Sequence, residues 1–105
     1  MNPMDPAQAR TYAEQVAKHR GWTVNADEAM TSPLVNGLAS QTARYGKPYC
    51  PCRDISGGEE DKDVVCPCAY AAADIDEHGQ CYCALFLSPA KDPSTVQSIP
   101  ERRPE

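Results

Sequence analysis

From Asp5 to about Arg20 the chain reads DPAQARTYAEQVAKHR, and Ala9, Tyr12, Ala13 and Val16 recur at helical spacing on one face. Asp5 stands where an N-cap belongs, Pro6 suits a first turn that has no use for its missing N–H, and Gly21 supplies the stop. A second helical pattern, NADEAMTSPLVNGLASQTARYG, starts from Asn25 or Asp27 and carries a face through Leu34, Leu38 and Thr42 to Gly46. Pro33 interrupts it. A proline lacks the N–H of the helical ladder and its ring crowds the preceding turn, so a break or kink is expected near Ser32.

After Gly46 the periodicity is lost. KPYCPCRDISGGEEDKDVVCPC carries two cysteine pairs around SGGEEDKD, a turn expected to be too polar and glycine-rich for burial. PCAYAAADIDEHGQC predicts a short helix over Ala69 to Asp76 ended by Gly79, and it delivers a third pair. From Ser88 onward the chain is polar and punctuated by prolines. Residues 1–87 therefore read as a single domain, and residues 88–105 as a proline-rich, extended C-terminal tail that packs loosely or not at all.

Composition sharpens the picture. With 105 residues, ten prolines, one Trp and one Phe, the chain has a thin apolar core, so a covalent or metal staple is expected. No apolar run approaches the roughly 20 residues that span a bilayer, and MNPMDPAQAR lacks the basic and apolar regions of a secretory signal. The expected location is cytoplasmic, without membrane association. A net charge of -5 argues against nucleic acid as the main partner.

All six cysteines fall into three Cys-x-Cys pairs: Cys50 and Cys52, Cys66 and Cys68, Cys81 and Cys83. In a reducing cytosol such pairs serve more often as metal ligands or redox thiols than as a disulfide scaffold. A zinc module would normally present wider Cys-x2-4-Cys knuckles, and any four-ligand centre leaves two sulfurs over. An iron-sulfur cluster on four thiolates, with the remaining two as a redox disulfide, employs all six. A ferredoxin-like electron carrier with two structural thiols stays open as an alternative, as does a zinc-binding interaction module.

The stretches RYGKPYCPCR, VCPCAY and GQCYCALFL resemble the catalytic chain of the ferredoxin:thioredoxin reductase family, whose pattern is two Cys-Pro-Cys pairs followed by Cys-His-Cys and Leu-Phe. The resemblance extends weakly upstream and covers about residues 22 to 88. It implies a 4Fe-4S cluster held by Cys50, Cys66, Cys68 and Cys81. It also implies an active disulfide between Cys52, the exposed thiol that attacks thioredoxin, and Cys83, the thiol that interacts with the cluster. Ferredoxin is then the electron donor, thioredoxin or a thioredoxin-like protein the substrate, and a small variable subunit the partner chain in the family enzyme. The fold expected with this reading is a small, mainly α domain folded around an iron-sulfur cluster, helices on one side and cysteine-bearing loops on the other.

The arrangement suits the chemistry. Ferredoxin delivers one electron at a time whereas a disulfide takes two, so a half-reduced state must be held without releasing a free thiyl radical. A disulfide closing the loop of about 30 residues between Cys52 and Cys83 would alone contribute roughly 3.5 to 4 kcal/mol. If Cys50 and Cys81 are already joined through a cluster, that loop is closed beforehand, and breaking the disulfide costs far less. Arg53 next to Cys52 would favour its thiolate. Two features depart from the family: loop lengths differ before Cys66 and Cys81, and Tyr82 replaces the histidine between the last two cysteines. A phenol, titrating at about 10, exchanges protons near neutrality less readily than an imidazole at about 6.5. His78, three residues before Cys81, is the candidate substitute.

Overall fold

The structure, a computed structural model, describes residues 5–51, 55–56, 58–100 and 102. Helix α1 runs Pro6–Arg20. Asp5 and Gln8 close its first turn reciprocally, the Gln8 N–H donating to Asp5 Oδ1 at 2.8 Å and the Asp5 N–H to Gln8 Oε1 at 2.9 Å. Gly21 ends it at φ 78°, a left-handed conformation that glycine adopts without a Cβ clash. Ala9, Ala13 and Ala17 are buried and Tyr12 and Val16 half-buried, so the face read from the sequence is the one that packs.

Helix α2 runs Glu28–Tyr45 and lies against α1. Its cap is Asp27, whose carboxylate accepts from the Ala29 N–H at 3.1 Å. The break expected near Ser32 does not occur, and the helix continues through Pro33. Pro33 and Ala29, whose carbonyl loses its partner, both sit on the exposed face, where water can satisfy that carbonyl. Thr31, Val35, Leu38, Ala39 and Thr42 form the buried face.

Two short strands not foreseen in the sequence, β1 (Thr23–Val24) and β2 (Phe86–Leu87), pair antiparallel and join the α1–α2 connection to the segment after the last cysteines. Helix α3 runs Ala71–His78, two residues later than the expected span, and Gly79 at φ 77° ends it. About half the chain is helical.

The polar SGGEEDKD segment is not simply an exposed turn. A 3-10 helix, Glu59–Val64, begins within it and runs one residue past it, and in it Asp61 is buried and accepts from the Ser56 N–H (2.7 Å) and hydroxyl (2.9 Å). The proline-rich segment, expected to pack loosely or not at all, makes specific contacts at Gln97, Ile99 and Arg102 among its described residues. The Gln80 side chain pairs twice with the backbone of Gln97, donating to its carbonyl at 2.7 Å and accepting from its N–H at 3.0 Å. Ile99 is buried, and Arg102 donates to Asp74 Oδ1 at 2.9 Å and to Glu77. One apolar side chain and two specific polar contacts anchor a stretch whose average composition reads as loose.

Candidate active site

The first two cysteine segments meet as neighbouring strands. Tyr49 and Val65 form an antiparallel bridge, the Cys50 N–H donates to the Val64 carbonyl at 2.8 Å, and the Cys66 N–H donates to the Pro48 carbonyl at 2.8 Å. Cys50 and Cys66 are thus set by main-chain bonds on both sides of one bridge. The chain then passes Cys66–Pro67, a cis peptide, and Cys68, and the Ala69 N–H donates back to the Asp63 carbonyl at 2.8 Å. Tyr70 braces this turn with a 2.6 Å bond from its hydroxyl to Asp63.

Beyond α3, Cys81 opens a tight loop closed by two bonds, Cys81 N–H to the Phe86 carbonyl at 3.0 Å and Ala84 N–H to the Cys81 carbonyl at 2.9 Å. Ala84 sits at φ 63°, a left-handed conformation that costs a residue with a Cβ about 1 to 2 kcal/mol. The Cys83 sulfur stands 3.9 Å from the Cys81 sulfur.

Cys50, Cys66, Cys68, Cys81 and Cys83 all line one recess, together with Pro67, Ala71, Tyr82 and Phe86. The first four are buried at 4, 5, 8 and 4% exposure, whereas Cys83 is partly exposed. Among the described residues no group of three or more His, Cys, Asp or Glu side chains is gathered as one metal ion would need. Cys52 and Arg53 lie outside the described residues.

Electrostatics separates the sulfurs further. Burial pushes the Cys66 thiol well above its ordinary pKa, and negative charge on Cys81, Cys50 and Cys68 adds to the push. Cys81 moves the other way: its contact with Cys83 and the Phe86 N–H, 3.3 Å from its sulfur, favour the thiolate against the burial that opposes it. Tyr82 lines the recess beside Cys83, while His78 is absent from the lining and pairs with Glu77 at 3.8 Å.

Tyr12 acquires a role its helical spacing did not reveal. Its hydroxyl donates to the Cys66 carbonyl, tying α1 to the second cysteine pair, and burial, with negative charge on Cys66, holds its pKa above the usual phenol value. The polar tip on an otherwise apolar face was the available signal.

Residues 5–101 match the family described as ferredoxin thioredoxin reductase catalytic beta chain, a span that takes in α1 and the proline-rich tail as well as the cysteine segments. The chain is 34% identical over 94 residues to the ferredoxin-thioredoxin reductase catalytic chain of Porphyra purpurea, covering 86% of this chain and 76% of that one. Against the Synechocystis sp. catalytic chain identity is 35% over 98 residues, covering 90% and 80%. Against the chloroplastic catalytic chain of Arabidopsis thaliana it is 36% over 86 residues, or 79% of this chain and 56% of that longer one. The match in sequence over most of its length places the chain in the ferredoxin thioredoxin reductase catalytic beta chain family, disulfide oxidoreductases.

Proposed function

We propose that this chain reduces the disulfide of thioredoxin or a thioredoxin-like protein with electrons from ferredoxin, alongside a small variable subunit, using Cys52 and Cys83 as the exchanging pair and Cys50, Cys66, Cys68 and Cys81 as ligands of a 4Fe-4S cluster. The observation that carries this reading is the division among the sulfurs: four buried around one recess, and Cys83 on its accessible side, 3.9 Å from Cys81.

The donor set suits a cluster. Four thiolates packed together without metal would repel one another, which is the condition that burial and neighbouring charge impose on Cys66. Thiolate sulfur is the ligand that iron-sulfur clusters take, and four buried cysteines lining one recess would supply it. When bound, such a cluster supplies single electrons beside Cys83.

The protein's own thiols do the rest. The Cys52 thiolate attacks one sulfur of the substrate disulfide, forming a mixed disulfide and releasing the other substrate sulfur as a thiolate that takes up a proton. The Cys83 thiolate then attacks Cys52, closing the Cys52–Cys83 disulfide and freeing the second substrate thiol. The substrate has gained two electrons and two protons, and two electrons from ferredoxin regenerate the pair. The buried Phe86 N–H steadies negative charge on Cys81 next to this exchange.

Iron and acid-labile sulfide analysis of the purified protein tests the reading. About four irons per chain and a brown colour are expected, lost in Cys66→Ser or Cys68→Ser. A colourless, folded, zinc-loaded protein contradicts it.

A further inference from the structure

Asn25 lies outside every cysteine segment, between β1 and α2, yet it reaches the loop that carries Cys83. It is buried at 1% exposure. Its N–H donates to the Leu85 carbonyl at 2.8 Å, and its side-chain Nδ2 donates to the Ala84 carbonyl at 3.0 Å. The other end of the amide is fixed as well, because Oδ1 accepts from the Asp27 N–H at 2.9 Å and the Asn25 carbonyl accepts from the Thr31 hydroxyl at 2.6 Å. Asn25 is thus clamped to the α2 cap on one side and grips two successive residues after Cys83 on the other.

What it grips is strained. Ala84 is the one non-glycine residue at positive φ among the described residues, and it directly follows Cys83. A left-handed alanine persists only where its surroundings over-determine it. Here the surroundings are the Asn25 amide on the Ala84 carbonyl and the Cys81 carbonyl on the Ala84 N–H. A φ change at Ala84 would alter the loop that sets Cys83 3.9 Å from Cys81.

We propose that Asn25 is a positioning residue for thiol exchange: by holding Ala84 left-handed, its side-chain amide fixes the Cys83 sulfur beside Cys81. The proposal rests on the reading of Cys83 as one of the exchanging thiols. Its test reads the placement of Cys83 directly, so failure of that reading shows separately, in iron content and thioredoxin reduction.

The full-length protein as purified is reduced with dithiothreitol, freed of reductant and treated with iodoacetamide, and Cys83 alkylation is timed by peptide mass spectrometry. Asn25→Ala should speed Cys83 alkylation about fivefold or more, as expected when a buried positioning contact is lost. Thr42→Val, which removes a buried hydroxyl bonded to the Leu38 carbonyl at 2.8 Å and to neither Asn25 nor Ala84, should leave the Cys83 rate within about twofold of wild type. Should Asn25→Ala fold poorly, Ala84→Gly provides a background in which the left-handed turn carries no strain. With that strain removed nothing drives the turn out of its left-handed form, so Ala84→Gly alone should match wild type, and adding Asn25→Ala should leave the Cys83 rate within about twofold of it. A wild-type rate in Asn25→Ala overturns the proposal, and so does an equal acceleration by Asn25→Ala in the Ala84→Gly background or by Thr42→Val.

Discussion

Gly37 sits inside α2 directly beneath Pro51, the residue between Cys50 and Cys52. A Cβ placed there would fall 2.5 Å from Pro51 Cβ and 3.3 Å from its Cγ, closer than carbon atoms approach without something moving. Helix propensity alone says that Gly37→Ala stabilises, by about 1 kcal/mol. Overpacking says the reverse, at about 1 to 3 kcal/mol. The second wins, because the Pro51 ring is rigid and its neighbour Cys50 is buried and tied to Val64 through its N–H at 2.8 Å, so Pro51 cannot retreat alone. The expected net loss is about 1 kcal/mol, or about 5 °C in the thermal midpoint of a domain this size. Asn36→Ala, one residue earlier on the exposed face, is the control and should be neutral or stabilising by about 0.5 kcal/mol. Unfolding of both variants by circular dichroism, with iron content and thioredoxin reduction measured on the same samples, provides the comparison. Gly37→Ala should lose midpoint and activity together. A Gly37→Ala protein as stable as Asn36→Ala would refute the close approach of α2 to the first cysteine pair.

Tyr82→His restores the family residue beside Cys83 and should keep iron while preserving or raising thioredoxin reduction at pH 7; loss of turnover with iron retained would give Tyr82 a role of its own. Gln80→Ala removes both bonds to Gln97 and should cost about 1 to 3 kcal/mol, with limited proteolysis now cutting after Ser88. Unchanged protease resistance would show that Ile99 and Arg102 anchor the tail without Gln80.

The helices were legible because their signals are local. Asp5, Gly21, Gly46 and Gly79 act through the conformation of their own turns, and all four stand at helix ends in the structure. Pro33 misled because its effect depends on which face it occupies, and on the exposed face of α2 the orphaned Ala29 carbonyl is no burden. The tail's contacts were hidden for a related reason: Ile99 and Gln97 are individual contacts within a stretch that is polar on average. Among the site residues, the Cys-x-Cys pairing declared itself in the spacing. That five of the cysteines face one recess is a tertiary fact, produced by the Tyr49–Val65 bridge and by the turn at Ala84. The partners of Asn25 and Tyr12 were out of reach, since each acts on a cysteine segment more than 50 positions away, Tyr12 on Cys66 and Asn25 on Ala84, although the polar tip of Tyr12 signalled that it needs one.

The most direct test of the account separates the two spare sulfurs by role. Cys52→Ser and Cys83→Ser are each mixed with a thioredoxin activated as a mixed disulfide, then run on non-reducing gels beside an iron assay. With Cys52 as the nucleophile and Cys83 as the resolving thiol, Cys83→Ser should trap a covalent adduct with thioredoxin and Cys52→Ser should not, while both keep their iron and lose steady-state turnover. An adduct formed only by Cys52→Ser would reverse the two roles. Loss of iron from either variant would contradict the division into four ligands and two exchanging thiols.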